Sequence, residues 1–406
     1  MANFRYVSWQ DNEDLKSDMT KYVGQCVKRK EILDFLKRNF PQYSWSIASI
    51  DRRLRHFNIF YTDLHTTVEQ VEAAIKKELC GSGQLLGYRA MHKKIRQAYH
   101  LHVQRDFVYN IMSRLDPAGL RNRTVGVKVK KTKDCFVSKG PNWVHSIDGH
   151  DKLMGYQNST FPLAIYGCLD TASRKLLWLR IWTSNSDPQR IGKWYYEHLC
   201  ETKQMSTYLR MDKGTETGVI ATMHSYLHQH HNIHEDEPTD TVIYGPSTSN
   251  QIERWWKELH ERLEKYYKRK LLFLKEEGHY NPHTETDRYI LAFVFIPILQ
   301  RELDTFKEVI WNSHRIRCQK NTVLPHGIPN HIYSFPDKYD LEECGWIVND
   351  DQLDEIFNHA KLDNVADDFL EADFRAKCEA IIPATENISP EDCVEAYIYI
   401  KQNFKV

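Results

Sequence analysis

Three carboxylates stand where the pattern of the chain changes. Asp148 ends the run Trp143-Val-His-Ser-Ile-Asp148, and Asp212 ends Thr207-Tyr-Leu-Arg-Met-Asp212. Glu253 lies near the start of a stretch in which Ile252, Trp256, Leu259, Leu263 and Tyr266 recur at helical spacing, beside that stripe and not in it. Both aspartates read as residues at or just inside strand ends, and open α/β sheets gather their chemistry at such ends. Three carboxylates brought to one sheet edge repel each other, which costs stability unless a cation neutralises them. Mg²⁺ or Mn²⁺ suits that role, as hard ions that prefer carboxylate and water oxygens. Two such ions, about 3.5 to 4 Å apart, activate a water or a 3′-hydroxyl on one side of a phosphate and stabilise the leaving oxygen on the other. Asn250-x-x-Glu253 also resembles a capping box, in which the carboxylate only satisfies backbone donors.

The elements that must position these groups follow from periodicity. Residues 143–148, 161–170 and 175–182 alternate as strands, and the short turns between them predict an antiparallel meander. Asp187 as cap and Pro188 at the first helical position open a helix to about residue 203 that buries Ile191, Tyr195 and Leu199. A strand at 207–212, turned away by Gly214, precedes a helix carrying Ile220, Met223 and Leu227 and a short strand at 241–244. The helix of Glu253 follows, entered through Pro246 and a Ser/Thr/Asn cluster. That order predicts a mixed α/β sheet with crossovers where parallel pairing requires them.

Upstream the pattern is helical. Residues 1–63 predict short helices, one marked by Ile32, Leu33, Phe35 and Leu36, another after Pro41 by Ile47, Ile50, Leu54 and Phe57. The second sets Arg52, Arg53 and Arg55 on its outer face, as phosphate contacts or as solvated charge. In residues 64–120, Thr66 or Thr67 caps a helix with Val68, Val71, Ile75 and Leu79, stopped at Gly81-Ser-Gly83. Two helices then span 86–96 and 104–115, closed by Pro117 and Gly119. They fit a helix-turn-helix whose second helix offers Arg105, Asn110 and Arg114, although any small helical bundle has the same periodicity. Residues 121–140 form a basic linker with Arg121, Arg123, Lys128, Lys130, Lys131 and Lys133, suited to a nucleic-acid backbone, a nuclear address or plain solvation.

Composition bounds these expectations. The 406 residues suffice for two or three domains, and a formal net charge of zero gives no global basic excess that would advertise nucleic acid. The signal is local: basic residues crowd the first 133 positions and acidic ones the end, in Asp350, Asp351, Asp354, Glu355, Asp363, Asp367, Asp368, Glu371 and Asp373. Nine cysteines without a C-x-x-C pair predict reduced thiols inside a cell and no zinc module. No signal peptide opens the chain, and the most apolar run, 290–299, is half a membrane span and reads as a buried helix. Residues 321–406 are loop-rich around Pro325, Pro329 and Pro336, and from Tyr339 they read as an acidic helical appendage that shields basic regions, docks a partner or is merely solvated.

Taken in order, Trp143-Val-His-Ser-Ile-Asp148, Leu169-Asp-Thr-Ala-Ser-Arg174, Arg210-Met-Asp-Lys-Gly-Thr-Glu216 and Ser249-Asn-Gln-Ile-Glu-Arg254 resemble the successive signatures of the integrase core of retroviral integrases and DDE transposases. The resemblance spans about 141–320, including Trp311-Asn-Ser-His-Arg315, which is similar to the Asn-x-x-Arg element after that core. It implies an RNase H-like fold, with Asp148, Asp212 and Glu253 as a catalytic triad binding two Mg²⁺ or Mn²⁺ ions. It also implies that Lys257, one turn beyond Glu253, contacts DNA near the reacting end; Asn250 is a further candidate DNA contact. Gly87-Tyr-Arg-Ala-Met-His-Lys-Lys-Ile and residues 103–115 resemble the helix-turn-helix of some bacterial insertion-sequence transposases. Asp148-Gly-His-Asp-Lys-Leu153 and the paired Trp255-Trp256 resemble a group of integrase-core proteins encoded in animal and fungal genomes.

The chain departs from that pattern twice. Forty residues separate Asp212 from Glu253, somewhat more than in retroviral integrases, so an insertion precedes the catalytic helix. It holds His224, His228, His230, His231 and His234, which read as an ordinary polar face or, through His224 and His228 one turn apart, as a metal site. The N-terminal His/Cys zinc module of retroviral integrases has no counterpart here, which leaves recognition of DNA ends to the helical region. The expected activity is DNA cleavage and strand transfer in the nucleus by a homo-oligomer assembled on paired ends. A nuclease that hydrolyses without joining, and a domesticated DNA-binding protein that keeps the fold without the reaction, use the same residues.

Overall fold

The computed structural model describes residues 8–63, 66–122, 138–155, 157, 159–231, 238–245, 251–318 and 324–404. Two units emerge, Met1–Val129 and Lys130–Val406.

The first unit is all-helical. Its helices are α1 (Glu13–Gly24), α2 (Arg29–Asn39), α3 (Ile47–His56), α4 (Val68–Cys80), α5 (Tyr88–Ala98), α6 (Arg105–Leu115) and α7 (Pro117–Asn122). Thr67 and Gln70 form a reciprocal capping box at the start of α4, and Gly81 caps its end. Val71, Ile75, Met91, Ile95, Val108, Ile111 and Met112 then bury a common core among α4, α5 and α6. Pro117 does not close this region. It stands at the first position of α7, where its missing N–H would be unpaired in any case. Arg96 is almost fully buried and donates to the carbonyls of Val23, Gly24, Tyr61 and Val103, tying the end of α1 to α5.

The second unit holds the sheet. Strands β1 (Val144–His150), β2 (Ala164–Asp170) and β3 (Leu176–Trp182) form the expected antiparallel meander. After α8 (Pro188–Thr202), the short β4 (Gln204–Met205) leads to β5 (Tyr208–Met211), α9 (Gly218–His231) and β6 (Val242–Tyr244). β5 runs parallel to β1 and β6 parallel to β5, giving a mixed five-stranded sheet of order β3-β2-β1-β5-β6. This strand order with its flanking helices is the RNase H-like arrangement. One face of the sheet, through Ile147, Cys168 and Trp178, packs on Ile191, Tyr195 and Leu199 of α8 and Ile220, Met223 and Leu227 of α9. The alternate residues of β1, among them Asp148 and His150, turn to the other face. There α10 (Gln251–Leu259) lies against β1 and β2, and α12 (Glu285–Thr305) against β3. A π-helical segment, His260–Glu264, joins α10 to α11 (Lys265–Glu276). The apolar run inside α12 is buried as expected, and no described helix is long and apolar enough to cross a membrane.

The acidic C-terminal region is mostly helical, as expected, and it packs on the core where plain solvation was one of the open readings. After α13 (Pro329–Ser334), β7 (Trp346–Ile347) pairs with β4, and α14 (Asp350–His359) packs on α8 and α9. Val348, Leu353, Ile356, Leu362 and Val365 belong to the same core as the sheet. Lys193 pairs with Asp367 and Lys203 with Asp350 at its rim. After α15 (Ala372–Glu379), α16 (Cys393–Asn403) packs on α12, where Lys401 bonds Asp287 at 2.6 Å.

Candidate active site

The sheet register brings the carboxylates together. Ser146 of β1 is level with Arg210 of β5, so continuing both strands by two residues sets Asp148 beside Asp212. Asp212 follows the last residue of β5, and Glu253 projects from the first turn of α10, exposed to solvent. One oxygen from each of the three carboxylates lies within 4.8 Å of the others. Among the described residues, no other group of three or more His, Cys, Asp or Glu side chains is arranged to hold a metal ion. His224 and His228 are buried, so they do not form the polar helix face expected; His224 Nδ1 is bonded to the Tyr195 hydroxyl at 2.8 Å, and among the described residues no third ligand joins the pair, while His234 lies outside the described residues.

The trio is electrostatically incomplete. Burial pushes the Asp148 carboxyl up to about 8; the Trp256 indole, donating from Nε1 to Oδ2 at 2.8 Å, opposes this, and the charges of Glu253 and Asp212 reinforce it. Asp212 Oδ1 is buried without a hydrogen-bond partner among the described residues, an acceptor of the kind a cation satisfies. The donor set, all carboxylate oxygen with an open side at Glu253, fits Mg²⁺ or Mn²⁺.

The expected DNA contacts divide. Lys257 is exposed on α10, one turn from Glu253. Arg52, Arg105 and Arg114 are exposed in the helical unit, although Arg114 is engaged with Glu72 and Arg105 lies 3.6 Å from Asp106. Arg53 must be corrected: it is 3% exposed, its guanidinium 3.9 Å from the ring centre of Trp45 and 5.2 Å from those of Trp9 and Tyr43. It is a packed cation held by aromatic faces, not an outward phosphate contact. Asn250 and most of the basic linker lie outside the described residues.

A family model described as integrase core domain matches residues 135–333. That match covers 199 of the 406 residues. No curated protein matches the chain. Two of the motifs that carry the resemblance have structural work here. Asp170 accepts from the backbone N–H of Asn142 and Ser173 and from the Ser173 hydroxyl, fixing the turn between β2 and β3. Asn312 pairs both ways with the backbone of Leu176 at 2.8 Å and so seals the edge of β3.

Proposed function

We propose that the chain is a DDE-type polynucleotidyl transferase, a transposase or integrase that cuts DNA strands and joins them to target DNA. The observation that carries this reading is the convergence of Asp148, Asp212 and Glu253 within 4.8 Å at one edge of an integrase core. These three residues would hold two Mg²⁺ or Mn²⁺ ions, which when bound supply charge neutralisation at a phosphate and an activated hydroxyl. The protein's own part is placement: in-line attack on phosphate needs little beyond positioned groups and compensated charge. Trp256 orients the Asp148 carboxylate, the exposed Glu253 closes the site from the solvent side, and Lys257 receives the DNA backbone one turn away. Arg52, Arg105 and Arg114 would add phosphate contacts from the helical unit, as a helix-turn-helix does. A multimer on paired DNA ends, acting in the nucleus and related to the animal and fungal genome-encoded group, completes the proposal.

The test is cleavage and joining of DNA carrying the sequences that flank the gene, with Mg²⁺ or Mn²⁺, by wild type and Asp212→Asn. The proposal expects joined products from wild type, none from the variant, and equal DNA affinity for both, because the change deletes a metal ligand and not a phosphate contact. Cut but unjoined DNA would make the protein a nuclease. Tight binding without products would make it a DNA-binding protein that keeps the fold.

A further inference from the structure

We propose that Trp256, backed by His150, Glu264 and His260, is a positioning residue that fixes the Asp148 carboxylate for metal binding; this rests on the metal-site reading above. An indole N–H only donates, so its bond to Asp148 Oδ2 restricts the carboxylate while competing for no cation. The indole itself is held on two sides. The His150 ring stacks on it, centroids 4.7 Å apart and planes 14° from parallel. On the side of β2, Gly167 lies level with Asp148, and a Cβ there would stand 3.0 Å from the outer edge of the indole. That Cβ would also stand 2.7 Å from Leu179 Cδ2, so a side chain at 167 would force its neighbours, the indole among them, to shift.

The support continues one layer back. A nitrogen of His150 lies 3.0 Å from the carboxylate of Glu264, which is fully enclosed and also bonded by His260 Nδ1 at 3.0 Å. Asp148 and His150 are two apart on β1 and therefore share a face, so one strand supplies both the metal-facing carboxylate and the ring that steadies its partner. The π-helical segment His260–Glu264 places the two helical members of the network. π-segments inside helices recur at functional sites.

The neighbouring tryptophan supplies the contrast. Trp255 is as buried as Trp256 and packs against the rings of Phe306 and Trp311, yet its Nε1 has no hydrogen-bond partner among the described residues. One tryptophan fills space and the other holds a ligand-bearing carboxylate. Loss of such outer support typically costs 10–100-fold in metal affinity.

The experiment is calorimetric titration of Mn²⁺ into the full chain, comparing wild type, Trp256→Phe, Trp255→Phe, Glu264→Gln and Asp148→Asn, with thermal unfolding of each. The expected result is that Trp256→Phe weakens Mn²⁺ binding about 10-fold or more. Trp255→Phe should lower the unfolding temperature with the affinity unchanged, and Asp148→Asn should remove binding. Equal Mn²⁺ affinity in Trp256→Phe and Trp255→Phe would overturn the positioning role while leaving the metal site standing. If Trp256→Phe does not fold, Glu264→Gln decides: weakened binding supports the network, and wild-type affinity overturns it. No Mn²⁺ binding by well-folded wild type would remove the metal-site reading itself, and this inference with it.

Discussion

At the scale of single residues, the electrostatics of the core are set by groups that burial keeps neutral. His145 of β1, His198 of α8 and His224 of α9 are buried, and burial is the first cause that lowers each of them below the ordinary histidine range, His198 to about 3. The sign follows from linkage. In the unfolded chain a histidine takes up its proton near pH 6.5, whereas folded His198 stays neutral until about pH 3, so its contribution to stability is full above pH 6.5 and is lost as the pH falls through that window. Urea unfolding between pH 6 and 4 should therefore show a slope shallower by about 1 kcal/mol per pH unit in His198→Gln than in wild type. Equal slopes would mean that His198 is charged in the folded protein. Arg53 shows the opposite limit of legibility. Its place on α3 was readable from the sequence, but the rings of Trp9, Tyr43 and Trp45 that enclose it come from outside that helix, and helical periodicity does not see them.

At the scale of elements, most of the sheet and its carboxylates could be read in advance because each signal was local. Alternation marked β1, β2 and β3, Asp187 and Pro188 marked the start of α8, and Asp148 and Asp212 closed apolar runs. What could not be read was which polar atom meets which across the sheet. Trp256 counted as one more member of the apolar stripe of α10, and its bond to Asp148 joins residues 108 apart. The π-helical segment after α10 leaves no mark in residue type. Asn312 is a similar case: its motif was recognised, but its pairing with Leu176 follows only once α12 has crossed β3. Asn312→Ala would leave a buried N–H and a buried C=O of Leu176 without these partners, at about 1–3 kcal/mol each. The prediction is a loss of roughly 2–6 kcal/mol in equilibrium unfolding, against less than about 0.5 kcal/mol for an exposed substitution such as Lys257→Ala.

At the scale of the whole molecule, charge misled where hydrophobic spacing would have served. The acidic stretch after residue 349 left shielding, docking and plain solvation open because its aspartates and glutamates dominate the composition, yet Leu353 and Ile356 form the buried stripe of α14. With Val348, Leu362 and Val365 they complete the core beneath α8 and α9. A chain truncated after residue 345 should thus be poorly soluble or markedly destabilised, since it uncovers a contiguous apolar face. A solvated tail would leave the thermal midpoint within a degree or two of wild type, and that outcome would contradict the packing described. The proposed catalytic site requires Asp148, Asp212 and Glu253 to act as one. Its most direct test is single-turnover DNA cleavage in Mn²⁺ by wild type, Asp148→Asn, Asp212→Asn and Glu253→Gln, with DNA affinity measured in parallel. The expectation is a loss of at least roughly 100-fold in rate for every amide variant, with affinity for DNA retained. Cleavage that persists in any one of the three would contradict it.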